Sequence, residues 1–177
     1  MIKDTKQRAL DEYELSPVAL STRDWREFHR IVRTALFKQT PEDYDVESVD
    51  TFQPQPAKRT PLLLKFRGEA VGTVALDDFG NGRAVIRLVA ISNEHQGRGH
   101  GWAMLSLASE VAKACGISEL CVNADSLKAA FYRTAGFTEH EWGPEELEDC
   151  RTGKAWPMPT QMRLMLAEQI TESCEPT

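Results

Sequence analysis

Cysteine is sparse in this sequence and falls into no motif. Cys115, Cys121, Cys150 and Cys174 are scattered without a Cys-x-x-Cys pair, so neither a zinc ribbon nor a redox dithiol is indicated. The four histidines are equally dispersed, and no metal site is expected. Cys115 and Cys121 lie in apolar stretches and are expected to be buried, reduced thiols. Long apolar runs are also missing. None approaches the about 20 residues needed to cross a bilayer, and the opening MIKDTKQRALDEYELS lacks the apolar centre of a signal peptide. A cytoplasmic protein without a membrane partner is therefore expected. A basic excess is absent too: 21 Lys and Arg stand against 27 Asp and Glu, a net charge of −6. That argues against a nucleic-acid surface, which needs cations to neutralise phosphates.

What is present suits one globular domain. The 177 residues are 41% hydrophobic and 27% charged, and no internal repeat is visible. Residues 1–14 read as a polar extension, 15–167 as the domain and 168–177 as a flexible tail. A short strand is expected at Pro17–Leu20, with Ser21 capping a helix whose apolar face carries Trp25, Phe28, Val32, Ala35 and Leu36. Gln39–Pro61 is acidic and proline-bearing and reads as a short helix and a long loop. A three-strand antiparallel meander follows: Leu62–Phe66, Ala70–Leu76 and Val85–Ile91. Turns at Arg67-Gly68-Glu69 and at Asp77–Gly82, where Asn81-Gly82 can supply positive φ, separate its strands. A helix with Met104, Leu107, Ala108, Val111 and Cys115 on one face ends at Gly116. A strand at Leu120–Val122, a short helix ending at Gly136, and strands at Phe137–Trp142 and Pro159–Leu166 complete an α+β order.

The most informative stretch is Gln96-Gly97-Arg98-Gly99-His100-Gly101, between a strand and a helix. Its glycines permit close backbone approach and unusual dihedrals. The helix that follows turns its first amides and its positive dipole end toward the loop, an arrangement that accepts a diphosphate. A plain structural turn is the alternative. A P-loop is excluded by the lack of Gly-Lys-Ser/Thr, and the glycine spacing and preceding meander do not fit a dinucleotide fingerprint.

The stretch Ala90–Gly101 resembles motif A of the GNAT acetyltransferases, Gln/Arg-x-x-Gly-x-Gly/Ala, with Gln96, Gly99 and Gly101 at the defining positions. Asn123–Phe137, with Phe131-Tyr132 and Gly136-Phe137, resembles the family's motif B. The element order is similar as well, so the likeness spans about residues 17–166. It implies the GNAT acyl-CoA N-acyltransferase fold: a mixed, mostly antiparallel central sheet of about six to seven strands flanked by helices. It further implies acetyl-CoA as the acyl donor. Backbone groups of Val89, Ala90 and Ile91 would pair with the pantetheine arm. Loop amides across Gly97, Arg98, Gly99, His100, Gly101 and Trp102 would hold the pyrophosphate, and Asn123 or Asp125 would contact the cofactor. Tyr132 matches the tyrosine placed beside the thioester sulfur, as general acid for the departing thiolate. Its duller alternative is a half-buried packing residue. Phe131 and Phe137 read as core, and His100 as a surface residue rather than a base.

The implied reaction is N-acetyl transfer by direct attack of an amine on the thioester in a ternary complex. Acetyl-CoA would lie in a gap between diverging strands near Ile91 and Leu120. The general base stays open among Asp77, Asp78, Glu141, the acidic 39–50 segment and water. Non-catalytic acyl-CoA binding on the same fold, and transfer of another acyl group or to a hydroxyl, are the rival readings. The acceptor would be a small-molecule or peptide amine, with the acidic segments favouring a cationic one, and a homodimer is an assembly common in the family.

Overall fold

The computed structural model describes residues 10–47, 57–141 and 160–166. Seven strands form one mixed sheet in the order β1-β2-β3-β4-β5-β7-β6: β1 Tyr13–Pro17, β2 Lys58–Phe66, β3 Glu69–Asp78, β4 Arg83–Ile91, β5 Glu119–Ala124, β6 Thr138–Glu139 and β7 Thr160–Met165. Every pairing is antiparallel except β4 with β5. Among the described residues, the α-helices flanking the sheet include α1 Arg23–Ile31, continued by a wider π-helical turn Val32–Phe37, α2 His100–Ala114 and α3 Ala129–Thr134.

Apolar alternation along the strands builds a core on both faces. On one, Leu62, Leu64, Val74, Leu76, Ala84 and Ile86 meet Met104, Leu105, Ala108 and Ala112 of α2 and Tyr132 of α3. On the other, Leu63 and Ala90 meet Phe28, Ile31 and Val32, with Trp25, Ala35 and Leu36 packed alongside. The expected apolar face of α1 is therefore the buried one.

Several boundaries move. The first strand runs Tyr13–Pro17 against Phe66–Leu62 rather than Pro17–Leu20, so it begins inside the stretch read as an extension. Thr22, not Ser21, caps α1. Its hydroxyl accepts from the Trp25 amide at 3.2 Å from an extended backbone, whereas Ser21 has φ 63°, and a cap needs the extended geometry. Lys58–Pro61, expected in a loop, pair with Asp78–Ala75 and lengthen β2. In the second hairpin, Gly80 and Gly82 carry the positive φ values of 74° and 81°. The Asn81 side chain instead accepts from the Arg83 amide. Cys115 is exposed beyond the end of α2 while Cys121 is buried, both as free thiols. Phe137 lies before β6, which spans only two residues; Trp142 and Pro159 fall outside the described residues.

The feature that shapes the site is in β4. Thr73 faces Ala90 but Ala75 faces Arg87, so Leu88 and Val89 together oppose Val74. This is a β-bulge, with Leu88 at φ 51° and its carbonyl accepting from the buried Thr73 hydroxyl at 2.8 Å. A bulge flips the alternation and bends the strand. Ala84 and Ile86 point to the α2 side before it and Val89 and Ile91 after it, while Leu88 and Ala90 face α1. Pairing of β4 with β5 covers only Arg83–Val85 against Glu119–Cys121. Beyond Val85 the two parallel strands part.

Candidate active site

Where β4 leaves β5 the sheet opens into a cleft of about 340 Å³. Val89, Ala90 and Ile91 of β4 form one wall, Phe131 and Tyr132 of α3 another, and Gln96 and Gly101 flank the glycine loop; Ala35, Met104 and Lys128 complete the lining. Six of the residues singled out from sequence (Val89, Ala90, Ile91, Gln96, Gly101 and Tyr132) thus come together. The gap borders Ile91 as expected, but Leu120 lies in the paired stretch opposite Ala84, below the opening.

The loop reaches α2 through two left-handed glycines, Gly97 at φ 75° and Gly99 at φ 86°. A side chain there would be strained by its backbone, although the space around both is open. Gln96 donates from Nε2 to the Ile91 carbonyl at 3.0 Å and to Asn93 at 3.3 Å, tying the loop to the end of β4. The Trp102 and Ala103 amides bond to the Gly99 carbonyl, whereas those of Gly97 through Gly101 make no backbone bond among the described residues. Those five N–H groups stand at a helix start, where amides lack helical partners, while the Trp102 amide has one. Arg98 is exposed. At Gly101 an added Cβ would stand 3.0 Å from the Phe131 ring, so the helix and the cleft wall close up only because the position is glycine.

Tyr132 is 5% exposed, held edge-on between Phe131 and Phe137 at centroid distances of 5.2 and 5.6 Å. Burial pushes its hydroxyl well above the ordinary tyrosine value, so it stays protonated. Asn123 is half-buried on β5 opposite Gln161. Asp125 is exposed and accepts from the Leu127 amide at 2.9 Å, shaping the turn into α3. Neither lines the cleft.

His100 is not a surface residue. It is 4% exposed, its Nδ1 lies 2.8 Å from the Tyr13 hydroxyl, and its ring sits edge-on to His95, 5.8 Å away. The Tyr13 strand, 87 residues distant in sequence, closes over it. His95 in turn bonds Ser92 through Nδ1 at 2.7 Å. Burial first, then His95 and Arg98, lower the His100 pKa below its ordinary 6.5. The unfolded chain therefore binds this proton more readily than the folded one, and the His100 contribution to stability is full above about 6.5 and is lost as pH falls below it. Urea midpoints should drop from pH 7 to pH 5, and His100→Gln should flatten that dependence. An unchanged slope would show that other groups carry it.

The candidate bases lie elsewhere. Asp78 caps its hairpin by accepting from the Gly80 amide at 2.8 Å, and Glu141 is exposed. Asp77 is fully buried. Arg59 grips it through two bonds of 2.7 and 2.8 Å and Arg87 through one of 2.8 Å. With both oxygens occupied and no exposure, it has no route for taking a substrate proton.

Residues 25–137 match the family described as Acetyltransferase (GNAT) family. The chain belongs to that family.

No curated protein matches the chain in sequence. Solved GNAT structures share the fold at low identity. Tetrahymena GCN5 superposes with a TM-score of 0.67 at 18% identity, over 89% of this chain and 98% of that one. A chimera of Vibrio cholerae spermidine N-acetyltransferase SpeG and hSSAT gives 0.65 at 14%, over 88% and 96%. A GNAT family acetyltransferase from Elizabethkingia anophelis with acetyl-CoA bound gives 0.61 at 18%, over 88% and 99%. Among the described residues of this GNAT protein, no helix is long and apolar enough to cross a membrane and no His/Cys/Asp/Glu group could hold a metal ion. Ala35, Met104 and Phe131, read from sequence as core-facing residues, and Lys128, given no role there, also line its cleft. Lys128 precedes Tyr132 by four residues, one helical turn, and that spacing is the signal that could have found it.

Proposed function

We propose that this protein transfers an acetyl group from acetyl-CoA to a primary amine, with both substrates held in one complex. The observation that carries the reading is a single cleft combining a strand edge released from its neighbour, a glycine loop with free amides, and a buried, protonated tyrosine. The residues fit the donor. Val89–Ile91, beyond the last β4–β5 pair, offer backbone groups to the pantetheine arm. The amides of Gly97–Gly101 suit the diphosphate.

Bound acetyl-CoA supplies an activated thioester, whose C–S bond breaks as the amine forms its new C–N bond. The backbone amide near Ile91 polarises the carbonyl, and Tyr132 gives its proton to the departing thiolate. The amine's own proton leaves through water, since no carboxylate lines the cleft among the described residues. The catalytic unit is taken as the domain expected to end at residue 167, its start moved from 15 to Tyr13 where β1 begins, in a cytoplasmic enzyme, and the acidic 39–50 segment favours a cationic acceptor. That same lack of a carboxylate favours a second reading, a non-catalytic acyl-CoA-binding module.

Calorimetry with acetyl-CoA, followed by thiol release across a panel of amines, separates the two. Binding with amine-dependent thiol release is the expected result. Binding without release on any amine would favour the module, and no binding would remove both.

A further inference from the structure

Of the described residues lining the cleft, Lys128 alone is charged. It makes no ion pair among them: the nearest acid in sequence, Asp125, points its Oδ1 at the Leu127 amide. Lys128 is exposed, and the Tyr132 side chain one turn on is buried. The α3 wall therefore grades from a dry inner end at Tyr132 to a wet, cationic outer end at Lys128. Gln96 and Gly101, which bracket the glycine loop, line the same cleft.

We infer that Lys128 is a phosphate-binding residue of the acyl-CoA site, facing the loop amides from the other wall. The inference rests on the acyl-CoA reading above. Acyl-CoA is polyanionic and this chain carries a net charge of −6, so the approach of the donor is opposed overall. The loop contributes neutral amides, and a flexible ammonium opposite them adds the point charge that a phosphate recruits. The inner end, where the thioester would sit, is served by an uncharged hydroxyl. The outer position of Lys128 assigns it to phosphate rather than to sulfur.

Calorimetry on the full chain with CoA, dephospho-CoA and pantetheine tests this for wild type, Lys128→Ala and Lys128→Arg. Circular dichroism checks that each variant folds, and the exposed position makes that the expected result. Lys128→Ala should weaken CoA about tenfold, the size of one charge-assisted hydrogen bond, and leave pantetheine unchanged. Lys128→Arg should restore most of the loss, and raised salt should shrink the gap between wild type and Lys128→Ala. A loss seen with dephospho-CoA places the contact at the diphosphate; a loss confined to CoA places it at the 3′-phosphate. An equal loss with pantetheine, or no loss at all, overturns the inference while leaving the acyl-CoA reading intact. Wild type that fails to bind CoA overturns both.

Discussion

Tyr132→Phe should lower kcat by about 100-fold, the lower range for a positioned general acid, while acetyl-CoA binds within about twofold of wild type. The substitution removes one oxygen and keeps the ring, so the edge-on contacts with Phe131 and Phe137 persist and the cleft wall stays in place. A loss of that size in kcat alone, about 2.7 kcal/mol, belongs to the transition state and not to ground-state binding. The hydroxyl's raised pKa adds a second signature. Burial keeps Tyr132 protonated beyond the ordinary value of 10.0, so activity should show no decline from its ionisation up to pH 10. The folded pKa exceeds the unfolded one, so the associated stability is full below pH 10 and declines above it. Parallel steady-state rates and titrations on both proteins decide the matter. Turnover equal to wild type would return Tyr132 to packing alone.

Much of this arrangement is written locally. The glycine loop, the α2 periodicity after it and the Phe-Tyr and Gly-Phe pairs around α3 are short-range patterns, and each specifies an element whose ends the structure moves by only a few residues. The bulge at Leu88 is different. Nothing in Arg87-Leu88-Val89-Ala90 announces a left-handed leucine, a conformation that costs a non-glycine residue about 1–2 kcal/mol. It is held from outside, by the Thr73 hydroxyl on its carbonyl and by Gly72, where a Cβ would stand 2.7 Å from Ile91 and 3.2 Å from Met104. The cleft therefore depends on strand register, which single positions do not reveal. His100 shows the same gap at the level of one residue. Its motif position reads as surface, and Tyr13, Phe66 and His95, all distant from it or outside its helix, pack around the ring and bury it.

Register also decides the role of Asp77, and this gives the second large effect. Asp77→Asn should cost about 3–5 kcal/mol, the range for removing one partner of a buried ion pair. Arg59, Asp77 and Arg87 come from β2, β3 and β4 and have side-chain exposures of 6%, 0% and 10%. The substitution leaves two guanidiniums facing each other across a neutral amide that can accept through only one oxygen. For a domain of this size the loss corresponds to a melting point lower by about 10 °C. Restoring a carboxylate with Asp77→Glu should recover part of it, limited by the extra methylene in a closed site. The kinetic expectation runs the other way. Because Asp77 bonds both guanidiniums and has no exposure, the folded fraction of Asp77→Asn, assayed well below its melting point, should keep kcat within about threefold of wild type, far short of the 10²–10⁴ of a lost general base. A thermal melt and an initial-rate measurement on the same sample separate the roles. Large destabilisation with retained turnover fits a charge that locks three strands beside the bulge. A hundredfold loss of kcat with an unchanged melting point would instead make Asp77 the base that the cleft otherwise lacks.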